Sequence, residues 1–482
     1  MSDEPGRIIP LSGAATPFKG RRAHFIGIGG CGMRGLAALL LREGAVVSGS
    51  DMVSSPATDY LAGLGAVIAV GHADGNIPAE VDRVIISAAI KEENPEVAAA
   101  RRRNIPVGKY ADLLGEVMRS RCGVAVAGTH GKSTTTALVS YMLMLAGLDP
   151  SFVVGGEVPQ LGGGSRAGGG RHFVAEACEF DRSFLKLHPR IAAILNVDYD
   201  HPDCYPDLNS VIEAFAAFAS LPPADGMLIA GGQDRNMPDL AGRVSAPVET
   251  FGLGDGPFDW QARGLHSFRG QYQFDVVYHG RCLGSGRLKM AGRHNVKNAL
   301  AAAAMAHHAG AHIDAILRAM ATFGGVARRT ELKGISRGIA VVDDYAHHPT
   351  EIQASLRSIA EAYEPQRLWV VFQPHQHSRT RFLMSEFAHS FARANVVLVP
   401  DIYFVRDSEA EKQAVSSADL VSEIQRAGGE AEYLDSFDRI VARLAAELVP
   451  GDCLVTMGAG SVYEIADRIL ERLSEAAGTA GR

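Results

Sequence analysis

Short runs of apolar and β-branched residues recur along the chain, each followed by a glycine-bearing turn and an amphipathic stretch. Ala23–Ile26, Ala45–Ser48, Ala66–Val70 and Arg83–Ser87 read as strands, the second stopping at Gly49-Ser50-Asp51. Helices are expected between them over Arg34–Arg42 (ended by Gly44), Pro56–Leu64 and Asn94–Asn104. A run at Val124 leads into a helix that reaches about Ala146 and stops at Gly147. Further strands are expected at His172–Ala175 and Ile191–Leu195, after a glycine-rich loop, Gly162–Gly170, that reads as flexible. Alternation of apolar and polar residues with glycine turns from Trp260 to Met290 predicts a small antiparallel sheet, and an alanine-rich helix follows from His294 to Ala309. Five more apolar runs (Ile339–Val342, Leu368–Phe372, Val396–Val399, Ala431–Leu434, Cys453–Thr456) alternate with helices. Pro349-Thr350 and Ser416-Ser417 mark two of those helix starts, and Gly428-Gly429 an end. Strands separated by helices predict α/β architecture with parallel sheets. The chain divides at about 21–120, 121–330 and 331–475, with a loose leader over residues 1–20 and a frayed tail in SEAAGTAGR.

Composition narrows the reading. A length of 482 residues suits about three domains. With 47% hydrophobic and 21% charged residues, well-filled cores are expected, and a net charge of −7 gives no bulk attraction to nucleic acid or anionic membrane. The six cysteines include no CxxC pair, so neither a disulfide framework nor a zinc site is indicated and a reducing cytosol is expected. The N-terminus lacks the features of a signal peptide, and no apolar run is long enough to span a membrane. A soluble, cytoplasmic protein follows.

The polar residues at the strand ends carry the chemistry. Gly128-Thr129-His130-Gly131-Lys132-Ser133-Thr134 sits between a strand and a helix, the geometry in which backbone N–H groups cradle a phosphate. The usual spacing would put a further glycine at Val126, so the pattern is imperfect, yet a nucleoside triphosphate is the ligand it suits. Gly27-Ile28-Gly29-Gly30-Cys31-Gly32, with Asp51 about twenty positions on, forms a Rossmann βαβ unit for a diphosphate ligand. NAD and a UDP-sugar both remain open there. His72 lies just past a strand end, where such a ligand would rest. Glu176 and His201 follow the next two strands and sit where magnesium ligands belong beside a phosphate loop. Asp198, Asp200 and Asp203 are unranked. Asn295 and Asn298 either cap a helix or offer amides to an adenine edge. Asp343–Glu351 and Gln373–Thr380 load two strand ends of the last segment with polar side chains.

GTHGKST, EACEFDRSFL, NVDYDHPD, HNVKN, DDYAHHPTE and QPHQHSRT, in that order, closely resemble the bacterial Mur ligases from about His24 to Ile465. GIGGCGM, DDYAHHPTE and QPHxxSRT with Met457–Gly460 resemble the alanine-adding branch. The resemblance implies an N-terminal Rossmann-like UDP-binding domain, a central P-loop ATP-binding domain and a C-terminal Rossmann-like amino-acid domain. It implies ATP and Mg2+ as cofactors, UDP-N-acetylmuramate and L-alanine as substrates, and a monomer or dimer. Lys132 would steady the transferring phosphoryl group, with Gly128, Thr129, Gly131 and Thr134 in its cradle. Ser133 would hold one magnesium ion, and Glu176 and His201 a second. Asn295 and Asn298 would hold adenine; Arg329 and Asp344 would reach phosphate and ribose. Tyr345, His347, His375 and Arg379 would frame the alanine, and Gly29, Gly30, Ser50, Asp51 and His72 the UDP-sugar. Four positions depart from the family pattern: Ser133 replaces threonine, Cys178 and Phe180 replace aspartate and serine, and Gln376 replaces an arginine. The alternatives are a related ligase that adds a preformed peptide, an NAD-dependent oxidoreductase and a catalytically silent nucleotide-binding regulator.

Overall fold

The structure, a computed structural model, describes residues 18–480 except 88 and 243. Most of the expected leader therefore lies outside the described residues. Three sheets follow one another along the chain. The first contains β1 (Arg22–Ile26), β2 (Val46–Asp51), β3 (Val67–Val70), β4 (Arg83–Ile86) and β5 (Val107–Lys109), all parallel in the order β3-β2-β1-β4-β5. Strand order reverses at β1, so the glycine turn after β1 opens on the crevice where ligands of such sheets bind. β2 runs on through Asp51 rather than stopping at Gly49, because Gly49, Ser50 and Asp51 stay paired with Ile68, Ala69 and Val70 through a glycine pressed against Phe25 and Ile28.

The second sheet contains β6 (Cys122–Ala127), β7 (Ser151–Val153), β8 (Ser165–Arg166), β9 (His172–Glu176), β10 (Ile191–Ile194), β11 (Met227–Gly231), β12 (Val248–Leu253), β13 (Trp260–Phe268), β14 (Gln271–Tyr278) and β15 (Arg281–Ala291). Their order is β15-β14-β13-β12-β11-β10-β6-β9-β7-β8. β6 and β10 are buried along their whole length, which explains their unbroken apolar runs. The antiparallel strands β13–β15 do not stand apart as a separate sheet. β13 pairs in parallel with β12 and extends the central sheet. The alanine-rich helix Arg293–His308 packs beside the helix Lys132–Leu145, buried from Val296 to Ala306 except at Lys297. Small side chains permit that close approach. The Gly162–Gly170 loop carries β8, and its Gly168 and Gly170 press onto the backbone of 148–150 with no room for a Cβ.

The third sheet contains β16 (Glu331–Ser336), β17 (Ile339–Asp344), β18 (Leu368–Phe372), β19 (Val396–Val399), β20 (Ala431–Tyr433) and β21 (Cys453–Met457), ordered β16-β17-β21-β18-β19-β20. It is parallel apart from the antiparallel edge strand β16. The C-terminal stretch expected to fray is helical as far as Ala480.

Candidate active site

The turn after β6 is built for an anion. Gly128 and Gly131 adopt φ values of +138° and +88°, and a Cβ on Gly131 would come within 2.5 Å of Asn298 Oδ1. The turn is stapled to the end of β10. The His130 N–H donates to Asn196 Oδ1 (2.8 Å), Asn196 Nδ2 donates to the His130 carbonyl (2.9 Å), and the Thr129 hydroxyl takes the Asp198 N–H (2.9 Å). Lys132, Ser133 and Thr134 form the first turn of the following helix, where unpaired N–H groups and the helix dipole favour a phosphate.

Lys132 Nζ donates to the carbonyls of Gly128 (2.7 Å) and Thr129 (3.0 Å) and lies within 3.0 Å of Glu179 Oε1. Burial opposes its charge, but Glu179 outweighs that and raises its pKa. Glu176 ends β9 and accepts the Gly155 N–H. His201 sits 3.8 Å from Glu179 Oε1 in a left-handed backbone (φ +57°), and burial lowers its pKa so that the ring is neutral. Glu179 contacts both Lys132 and the neutral His201 imidazole, and the Glu176 carboxylate lies near enough to act on the lysine's charge. Oxygen donors with one imidazole suit a hard divalent cation.

Beside this cluster lies a cavity of about 540 Å³ between the second and third sheets. His130, Gly131, Thr134, Asn295, Asn298, Arg329 and Asp344 all line it. Asn295 donates to the Ala291 carbonyl (2.7 Å) and accepts from Asn298 (3.2 Å), so the pair ties the helix start to the end of β15 and lines the cavity; the N-cap is Gly292, with no side-chain cap hydrogen bond. The Asp344 carboxylate accepts from Thr330, Ser355 and the Ala346 N–H; burial raises its pKa despite these donors. Arg329 lies 4.9 Å over the Tyr345 ring and 3.7 Å from Glu351.

His347 and His375 face one another with ring centroids 6.0 Å apart. Burial pulls His347 down to about 4 and His375 to about 3, so both are uncharged. Arg379 is 1% exposed and is held by Asp200 (2.9 Å from Nε), beside His375 Nδ1 (3.3 Å) and His201 Nδ1 (3.5 Å). His130, Asp198 and His348 also cluster, but both ring nitrogens of His348 are engaged. Nε2 donates to the Tyr199 carbonyl (3.0 Å) and Nδ1 accepts the Thr350 N–H (3.3 Å). That leaves His348 no lone pair for a metal.

In the first sheet, the Gly29 N–H donates to Asp51 Oδ2 (2.8 Å), and a Cβ on Gly29 would meet that oxygen at 2.9 Å. Gly30 precedes the helix Cys31–Arg42 as its cap. Ser50 Oγ donates to Glu96 (2.8 Å) and lies 3.0 Å from His72 Nδ1. Gly29 and Asp51 thus meet at the glycine turn, while Ser50 is buried and meets His72 and Glu96 beneath it.

The comparisons agree with this architecture in all three segments. Residues 22–121 match the Mur ligase family catalytic domain, 126–306 the Mur ligase middle domain and 328–460 the Mur ligase glutamate ligase domain. A UDP-N-acetylmuramate–L-alanine ligase from Solibacter usitatus is 44% identical over 98% of this chain and 99% of its own. The chain belongs to the Mur ligase family. The enzyme of the same name from Acetivibrio thermocellus is 41% identical over 94% of this chain and 97% of its own. Among solved structures, the UDP-N-acetylmuramate–alanine ligase of Thermotoga maritima superposes with a TM-score of 0.78 at 27% identity, covering 94% of this chain and 99% of that one. A murein peptide ligase from Psychrobacter arcticus gives 0.70 at 27% identity over the same shares. No helix among the described residues is long and apolar enough to cross a membrane. Sequence reasoning on this Mur ligase missed Glu179, Asn196 and Glu351 as contributors, although all three stand inside the motifs that it singled out.

Proposed function

We propose that this Mur ligase joins L-alanine to the lactyl carboxylate of UDP-N-acetylmuramate at the expense of ATP, in the synthesis of peptidoglycan precursors. The observation that carries the reading is identity above 40%, along nearly the whole chain, to enzymes named for that reaction. The higher TM-score to the alanine ligase than to the peptide ligase favours the single amino acid as acceptor.

In this reading residues 21–120 hold the UDP-sugar through Gly29, Gly30, Ser50, Asp51 and His72. Residues 121–330 hold ATP, and 331–475 supply the amino-acid site. A carboxylate oxygen of the muramate attacks the γ-phosphorus, the bond to the β-phosphate oxygen breaks, and ADP leaves. The alanine ammonium gives up one proton, its nitrogen lone pair attacks the acyl carbon, the C–O bond to phosphate breaks, and a second proton leaves nitrogen as the amide forms and inorganic phosphate departs. Lys132 swings from Glu179 and the loop carbonyls to the transferring phosphoryl group, where its charge offsets what accumulates. Ser133 would hold one magnesium ion and Glu176 with His201 another, which neutralise charge between a carboxylate and a polyphosphate that otherwise repel. Asn295 and Asn298 face adenine, and Arg329 and Asp344 the phosphate and ribose. His347 and His375, with pKa values near 4 and 3, are too weakly basic to carry the amine's proton away; with Tyr345 they orient it. Dependence on ATP supports a cytoplasmic setting.

The test is magnesium-dependent phosphate release from ATP with UDP-N-acetylmuramate, adding each amino acid in turn. Release that requires L-alanine, and that falls by about 100-fold or more in Lys132→Ala, is expected. Release with a peptide but not with alanine would move the acceptor.

A further inference from the structure

An amino acid binds as a zwitterion, so its site needs a cation for the α-carboxylate as well as acceptors for the amine. Arg379 is poorly placed for the first task. It is 1% exposed, its Nε is held by Asp200 at 2.9 Å, and its terminal nitrogens lie against His375 and His201. A second guanidinium stands beside it. Arg406 lies on the loop after β19, 37% exposed, with its backbone in the left-handed region at φ +62°. Loop and site are laced together: His375 pairs with Tyr403, the Gln376 N–H donates to the Tyr403 carbonyl (3.1 Å), and Ser378 Oγ donates to Asp407 (2.6 Å). A non-glycine residue held at positive φ between two such anchors is strain of the sort that fixes a functional side chain.

Two of the family departures meet at this guanidinium. Arg406 Nη2 donates to Gln376 Oε1 (3.1 Å), and the guanidinium carbon lies 4.3 Å from the centroid of the Phe180 ring. Phe180 also neighbours His201, at 5.3 Å between centroids. Gln376 is itself buried and reaches Asp203 Oδ2 with Nε2 (3.4 Å), so its amide is oriented before it meets the arginine. Gln376 takes one of the five N–H groups of the fork and the Asp203 carboxylate lies 3.9 Å from Nε, which leaves donors on the terminal nitrogens for a planar carboxylate.

We propose that Arg406 reads the α-carboxylate of the incoming amino acid, with Phe180 and Gln376 fixing the plane of its guanidinium. The assignment rests on the reading that Tyr345, His347 and His375 frame that amino acid. It moves the specificity cation from position 376 to position 406 and gives Arg379 the task of positioning His201 and His375.

The experiment compares L-alanine with L-alaninamide, which lacks the carboxylate charge, as acceptors for the full-length enzyme and for Arg406→Met and Arg406→Lys. The unaltered enzyme should prefer alanine by about 10- to 100-fold in kcat/KM, the size of one charge-assisted contact. Arg406→Met should raise KM for alanine by that factor and collapse the alanine-to-alaninamide ratio, while KM for ATP and UDP-N-acetylmuramate stays within about two-fold. Arg406→Lys should restore part of the ratio, because it keeps the charge without the fork. A ratio that survives intact in Arg406→Met, in an enzyme that still requires alanine, overturns the assignment. Absence of alanine-dependent release in the unaltered enzyme overturns the activity reading, and this assignment with it.

Discussion

A carboxylate with no exposure must be surrounded by donors, and Glu96 shows how far that demand reaches. His24 Nε2 lies 2.9 Å away, Ser50 Oγ 2.8 Å and Asn76 Nδ2 2.8 Å, with the Ala73 N–H at 3.2 Å and His72 Nδ1 at 3.3 Å. Burial alone would raise its pKa, but the donors from His24, Asn76 and Ser50 win and hold it at about 2. Two of its partners, Ser50 and His72, belong to the proposed UDP-sugar site. Glu96→Gln removes the charge that orients both. KM for UDP-N-acetylmuramate should rise about ten-fold with kcat and KM for ATP little changed, as initial-rate kinetics would measure. Because the folded pKa lies below the unfolded one, Glu96 contributes stability above about pH 4.5 that is lost as pH falls through about 2. Acid melting curves of Glu96→Gln should therefore flatten relative to the unaltered protein over that window. Glu96 was not legible in the sequence as a site residue. It reads there as an acid in the first turn of a helix, and its partners lie 20 to 72 positions away. The turn and helix starts that carry Lys132, Asn295 and Asn298 were legible because those elements are local. Arg379 was legible as important but not as buried, since its ion-pair partner Asp200 is 179 positions away.

At the scale of elements, the phosphate turn needs a glycine at position 131. Gly131 combines φ +88° with a Cβ position only 2.5 Å from Asn298 Oδ1, so an added methyl both strains the turn and displaces an amide facing the cavity. Gly131→Ala should raise KM for ATP by about ten-fold or more and cost about 1–3 kcal/mol of stability in chemical denaturation. Gly162 has a similar φ, +73°, with nothing within 4 Å of its Cβ position. Gly162→Ala should pay the backbone cost alone and leave KM for ATP unchanged. Elements with strong periodicity were legible: β1, β9, β10, β17, β18 and β19 lie where their apolar runs predict them. β5, three residues long, and the edge strand β16 carry too few apolar residues to announce themselves. The alternation that marks β13–β15 is a local signal, whereas their attachment to β12 is a tertiary choice that the alternation does not encode.

At the scale of the whole molecule, four polar bridges between the second and third sheets fall on residues 198–203. Asp198 accepts from Thr350 Oγ1 (2.7 Å), the Tyr199 carbonyl from His348, Asp200 from Arg379 and Asp203 from Gln376. The phosphate turn joins them through His130, whose Nε2 lies 3.3 Å from Asp198 and whose Nδ1 lies 3.4 Å from Glu351. Burial works against a charge on His130, yet the two carboxylates outweigh it and push its pKa up to about 9. His348, at 4.8 Å between centroids, is kept neutral by burial and so does not oppose that charge. The imidazolium therefore bridges the nucleotide turn to the C-terminal domain in the arrangement in which the two sheets enclose the cavity. Because its pKa there is raised above the free value of 6.5, the bridge is fully formed below about pH 6.5 and is lost as pH rises through about 9. Solution scattering of the enzyme with a non-hydrolysable ATP analogue should show the radius of gyration increasing across that window. His130→Gln, which hydrogen-bonds without titrating, should abolish the step at the same protein and nucleotide concentrations. A step that persists unchanged in His130→Gln would assign the pH response to another group and leave His130 as a fixed strut of the phosphate turn.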